Sequence, residues 1–161
     1  MRAVWYIIDG YSVLHRAHPA GFKDRNMMAR LRVQLVERVA SLIPESNVRV
    51  TMVFDGQSAS EETAEHGSRV DVVFTGAGQT ADAYIERLAG HLREPREAIV
   101  VSSDRAVVEG GSASGCQVMT ARGFLELLGR EGQAQKRSQA RQKARSPRGP
   151  RLGDFFPSDS D

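Results

Sequence analysis

A chain of 161 residues, 40% apolar and with a formal charge of +2, fits one domain of ordinary size, large enough to bury a real core. Its single cysteine, Cys116, excludes an intramolecular disulfide and a multi-cysteine zinc site and fits a reducing, cytoplasmic compartment. No apolar run reaches membrane-spanning length, and Met1-Arg2-Ala3 leads straight into a short apolar run rather than a secretory signal, so the expected protein is soluble and makes no membrane contact.

The run from Ala3 to Ile8 is β-branched and aromatic, bulky enough to pack on both faces as a central parallel strand requires, and it stops at Asp9-Gly10. Asp9 then stands at a strand's carboxyl end, which lines the ligand crevice in open α/β sheets. The plainer reading is that Asp9 caps the following segment. The pattern recurs: Val48–Phe54 is followed by Asp55-Gly56, and the apolar run from Ala98 through Ser103 by Asp104.

In chain order, residues 16–23 read as a loop containing Pro19 and Gly21. Asp24 caps a helix to about Ile43, since Met28, Leu31, Leu35, Val39 and Leu42 recur at three- and four-residue intervals, and Pro44 ends it. Arg25, Arg30, Arg32 and Arg38 of that helix are assigned to a solvated face. The polar stretch from Gln57 to Ser68 reads as a loop or a frayed helix. Val70–Phe74 is the third strand; after it, Thr80 caps a helix whose inner stripe is Ala81, Tyr84, Ile85, Leu88 and Leu92. Asp82 falls in that helix's first turn, where the dipole favours negative charge.

Pro95 closes this unit, a strand spans 98–102, and Val107 and Val108 mark a short helix before a flexible Gly110–Gly115 segment. Cys116–Met119 forms the last strand, and Thr120 caps a helix through Phe124, Leu125, Leu127 and Leu128. Alternating strands and helices predict a three-layer α/β/α Rossmann-like fold with a mainly parallel central sheet over residues 1–129. Beyond Gly129 little remains to bury. Eight Lys/Arg face four acids from residue 130 onward, so residues 130–161 are expected as a basic tail, disordered over 130–153 and suited to a polyanion. Phe155-Phe156 near its end has the look of a short protein-docking motif.

Such a sheet brings Asp9, Asp82 and Asp104 to one rim, with Asp55 joining them. Clustered carboxylates repel one another unless a cation or proton neutralises them, and oxygen-only ligands suit Mg²⁺ or Mn²⁺. Ions of this kind activate water and stabilise charge on a phosphodiester, so the physical reading is a metal-dependent nuclease.

The residues also carry a resemblance. Ile8-Asp9-Gly10-Tyr11-Ser12-Val13-Leu14-His15, Val53-Phe54-Asp55-Gly56, Val72-Val73-Phe74-Thr75 leading to Thr80-Ala81-Asp82-Ala83-Tyr84-Ile85-Glu86, and Val101-Ser102-Ser103-Asp104-Arg105 together resemble the YacP-like NYN-domain proteins of the PIN-like ribonuclease superfamily. The resemblance covers residues 3 to about 128. It implies a PIN/NYN fold, endonucleolytic RNA cleavage and a Mg²⁺ or Mn²⁺ site made by Asp9, Asp82 and Asp104, with Asp55 as a rim member. The expected substrate contacts are Ser12, Ser103 and Arg105 around the acids and Lys136, Arg137 and Arg141 in the tail. Expected partners are RNA and either the ribosome or a protein docking on the tail. Two positions depart from the group's pattern: Ser12 stands where Asn is usual, and Ala83 where a second Asp is frequent.

The same residues admit other readings. Gly76-Ala77-Gly78-Gln79-Thr80-Ala81 between a strand and a helix satisfies a dinucleotide fingerprint, yet an NAD-binding oxidoreductase leaves Asp9 and Asp55 without a role. A haloacid-dehalogenase-type phosphatase needs an acid where Tyr11 stands. His15, His18, His66 and His91 lack metal-ligand spacing, and Cys116 lacks a catalytic partner. The principal alternative is an RNA- or ribosome-binding adaptor that keeps the fold and has lost turnover through Ser12 and Ala83.

Overall fold

The computed structural model describes residues 4–43, 47–56, 62–66 and 70–145. Strands β1 (Val4–Asp9), β2 (Val48–Phe54), β3 (Glu62–His66), β4 (Val70–Phe74), β5 (Ala98–Val101) and β6 (Gln117–Met119) form one sheet in the order β3-β4-β2-β1-β5-β6. The strands from β4 to β6 across the sheet are parallel, and β3 pairs antiparallel on the edge of β4. Helices α1 (Gly10–Ala17), α2 (Arg25–Leu42), α3 (Ala81–Gly90), α4 (Arg105–Ala113) and α5 (Ala121–Arg145) complete the layers.

Alternation along the central strands divides the core. Ile8, Met52, Phe54 and Val101 pack with Leu14 of α1, Val36 and Val39 of α2 and Phe124 and Leu128 of α5. Ile7, Val53 and Val100 pack on the opposite face with Ile85 of α3 and Val107 of α4. This two-sided burial is why β1 is apolar throughout before Asp9. Removing the rings of Phe54 and Phe124 from water contributes roughly 1.5–3 kcal/mol each.

The chain moves outward from β1 to β2 and β4, then α3 carries it back across to β5 and β6. Strand order therefore reverses between β1 and β5, with Ile8 paired to Val101 at their carboxyl ends. In open α/β sheets this is where ligands bind.

The expected helix caps are present: Asp24 accepts from Met27 N, Thr80 from Ala83 N and Thr120 from Gly123 N. Four expectations are corrected. Gly10–Ala17 is a helix, not an unassigned turn entering a loop, because buried Val13 and Leu14 override the weak helix propensity of Gly10. Within the polar stretch Gln57–Ser68, residues 62–66 are the edge strand β3, recruited by pairing with β4; residues 57–61, 67 and 68 lie outside the described residues. Helix α4 runs through Gly110 and Gly111, since Gly111 is buried against Val100.

The largest correction concerns the tail. Helix α5 does not end near Gly129 but continues to Arg145. Gly132 faces Leu42, which a Cβ at this position would touch, and Gln135 Nε2 donates to the Ser41 carbonyl at 3.4 Å. Beyond these contacts the chain is rich in Gln, Arg, Lys and Ala, which propagate a helix already started. Pro44 and the Phe155-Phe156 motif lie outside the described residues. No helix among the described residues is long and apolar enough to cross a membrane.

Candidate active site

Asp9 is the last residue of β1 and only 8% exposed. It also caps α1, accepting from Ser12 N at 3.3 Å through Oδ1, so Asp9 is both a helix cap and the carboxylate at the strand's carboxyl end. Its Oδ2 accepts from the Ser102 hydroxyl at 3.0 Å. Ser102 is fully buried just after β5, and its oxygen accepts in turn from Asp104 N at 3.0 Å. One hydroxyl thus joins the ends of β1 and β5 at the reversal of strand order. Asp104 caps α4 through Ala106 N, 2.8 Å away, and its side chain is exposed.

A second pair completes the rim. Asp55, just after β2, accepts from Ala81 N at 2.6 Å and so anchors the start of α3. Asp82, exposed in the first turn of α3, is fixed by that anchor and by the Thr80 cap. The glycines that follow two of the acids are demanded by close approach: a Cβ at Gly10 would collide with the Phe54 ring, and one at Gly56 with the Thr75 carbonyl oxygen.

The acids feel one another. Burial pushes the Asp9 carboxyl above its ordinary value, the bonds from Ser12 and Ser102 oppose this, and the charges of Asp55 and Asp104 push it further up. Asp82 is raised by desolvation and then by Asp9, Asp104 and Asp55. All four expected carboxylates therefore belong to one electrostatic unit. Among the described residues, no group of three or more His, Cys, Asp or Glu is so arranged that it could hold a metal ion by itself.

The other expected contacts divide. Ser12 Oγ accepts from Ser103 N at 2.6 Å, tying α1 to the turn after β5, and both residues lie beside the acids. Arg105 is exposed and pairs with Glu109 at 2.7 Å. Lys136, Arg137 and Arg141 are not brought to the acids. They follow Gln135, which touches Ser41 near the end of α2, and α2 ends just before β2 begins, at the amino edge of the sheet. The Gly76–Gly78 loop lies between β4 and α3, away from the strand-order reversal, and Asp55 already occupies the Ala81 N–H that a dinucleotide phosphate would use.

Two residues escaped the sequence reading. Ser102 was visible only as a small polar residue before Asp104; its bridging role depends on the pairing of β1 with β5. Arg32, expected on a solvated face, is half-buried over aromatic rings.

A doubly wound, mainly parallel α/β sheet with carboxylates gathered where its strand order reverses defines the class of protein. The chain belongs to the YacP-like NYN domain family, which it matches over residues 6–155. A crystal structure of a mutant form of Rae1 (YacP) from Bacillus subtilis superposes with a TM-score of 0.73 at 24% identity, covering 89% of this chain and 86% of that one. Another crystal structure of Rae1 (YacP) from Bacillus subtilis gives 0.71 at 23% identity, covering 91% and 84%. At these identities the likeness is one of fold. No curated protein sequence matches the chain.

Proposed function

We propose that the chain is a Mg²⁺- or Mn²⁺-dependent endoribonuclease whose reacting centre is Asp9, Asp82 and Asp104, with Asp55 at its edge. The observation that supports this is the gathering of four carboxylates at the crevice, where burial first and the neighbouring charges after it push Asp9 and Asp82 above their ordinary values. The donors are oxygen only, as hard divalent ions prefer. Mg²⁺ commonly keeps several waters and takes one or two carboxylates plus substrate phosphates, so acids around a wet crevice suit it without forming a closed cage. When bound, such an ion activates water and offsets charge on the phosphodiester.

The chain's own residues supply position. Ser12 N and Ser102 Oγ hold the Asp9 carboxylate in one orientation, while Asp82 and Asp104 present exposed carboxylates from helix starts. Lys136, Arg137 and Arg141, all exposed on α5, serve as a separate electrostatic contact for RNA extending past the crevice, ribosomal RNA included. A protein partner on the terminal Phe155-Phe156 motif belongs to the same proposal.

The second reading, an RNA- or ribosome-binding adaptor, rests on two observations. Ala83 places no carboxylate beside Asp82, and Ser12 Oγ is engaged by Ser103 N. End-labelled single-stranded and structured RNAs incubated with Mg²⁺, Mn²⁺ or EDTA, beside an Asp104→Asn variant, separate the two. Internal cleavage that requires metal and disappears in the variant is the expected result. Binding without cleavage under every condition, candidate partners included, would establish the adaptor.

A further inference from the structure

Arg32 stands on the other side of the strand ends from the acid pair Asp9 and Asp55. Its guanidinium lies 4.8 Å from the centroid of the Phe74 ring and 5.8 Å from that of Phe54, and Nη1 donates to Tyr11 Oη at 3.3 Å. Tyr11 itself meets Phe54 edge-on at 5.2 Å, and Phe54 stacks with Phe74 at 5.8 Å. Phe54 and Phe74 are the last residues of β2 and β4, and Phe54 immediately precedes Asp55. Tyr11 is two residues past Asp9. The group is therefore level with the carboxylate rim, on the α1 and α2 side of the sheet.

Among the residues whose side chains are described, this guanidinium is met by aromatic rings and a phenol rather than by a carboxylate. A half-buried guanidinium commonly pairs with a carboxylate, yet among the described residues Arg32 has no acidic partner, and Tyr11 Oη is its hydrogen-bond acceptor. The aromatic bed and Tyr11 hold the guanidinium, and one hydrogen bond uses only one of its five N–H donors. An immobilised fork without an acid suits a phosphate better than it suits the core, because a planar guanidinium binds two phosphate oxygens at once. Helix α2 runs toward the amino edge of the sheet, so its turns before Arg32 rise past the strand ends, where Arg25 and Arg30 are also exposed. Arg32 thus lies on one side of the strand ends and the carboxylates of Asp9 and Asp55 on the other.

We propose that Arg32 is a positioning residue that clamps a backbone phosphate of the RNA strand flanking the scissile bond, with Tyr11, Phe54 and Phe74 holding its guanidinium. This rests on the endoribonuclease reading for the identity of the ligand. A strand lying across the sheet rim would meet the clamp on one side and the carboxylates on the other, which fixes the phosphate to be cut.

The test uses the full chain with a fluorescent single-stranded RNA. Binding is titrated in EDTA over a range of salt, and cleavage of the same RNA is followed in Mg²⁺. Arg32→Met is expected to weaken binding about tenfold and to reduce the slope of log affinity against log salt by about 0.7, the share of one phosphate contact. The KM for cleavage rises with kcat less affected. Arg32→Lys keeps the slope and recovers part of the affinity, while thermal melting reports whether either variant is folded. Wild-type affinity and slope in a folded Arg32→Met variant would overturn the clamp, as would failure of the native chain to bind RNA. If the native chain binds with the expected Arg32 dependence yet never cleaves, the clamp stands and the nuclease reading falls.

Discussion

The carboxyl rim of the sheet and the far half of α5 are both charged, and they are built in opposite ways. At the rim three of the four acids do structural work: Asp9, Asp55 and Asp104 accept backbone N–H groups, and Ser102 ties Asp9 to the backbone of Asp104. Residues 133–145 of α5 are exposed throughout, and their basic side chains stand off the opposite edge of the sheet. A rim wired into strand and helix ends can hold functional groups to a fixed geometry. An unsupported cationic helix provides attraction over a Debye length but little geometry. The comparison separates a place for chemistry from a place for capture.

The largest effect is expected from Asp9→Asn. Cleavage should fall to the level of the EDTA control, while the folded state gains. The Asp9 carboxyl is raised from 3.8, mainly by burial, so the native state keeps its proton to a higher pH than the unfolded chain does. Stability from the protonated form is present below the unfolded value and is lost as pH climbs through the folded one. Thermal melts from about pH 4 to about pH 7 should show the variant gaining on the wild type as pH rises. Mg²⁺ should raise the melting temperature of the wild type more than that of the variant. A variant less stable at neutral pH would make the rim a structural network alone.

Ser102→Ala comes next. It removes the hydroxyl between Asp9 and Asp104, leaving a buried acceptor short of a donor, at a cost of about 1–3 kcal/mol in chemical denaturation. A loss of about 10–100-fold in kcat follows from misoriented acids. Unchanged kcat in a folded variant would remove Ser102 from the positioning network.

The smallest effect on chemistry belongs to the far end. Replacing Lys136, Arg137 and Arg141 together by Ala should leave kcat and melting temperature close to wild type and lower the salt slope of RNA binding by about 2, three contacts' worth. A matching drop in kcat would mean that α5 reaches the reacting centre after all, and the division into two regions would be wrong.

Much of this fold was legible because the signals were local. Apolar runs ending in aspartate located the main strands, and Asp24, Thr80 and Thr120 announced their helices by capping chemistry. Helix α1 and strand β3 were not legible, since each owes its structure to what it packs or pairs with. The extension of α5 was misread because a polar composition lacks a burial signal while still permitting a helix. Arg32 was misplaced for a related reason: the arginines on α2 look alike until Phe54 and Phe74, far away in the chain, supply the bed for one of them.

By itself the sequence determined the α/β alternation, the parallel character of most of the sheet and the identity of the strand-end acids, because these follow from period, bulk and turn chemistry within short windows. Only the tertiary structure decided which acids share an electrostatic field, that Ser102 links β1 to β5, that Arg32 is stacked on Phe54 and Phe74, and that the basic residues of α5 lie at the far end of the sheet. Each of those depends on strand order and helix direction, which bring together side chains as distant as Asp9 and Ser102.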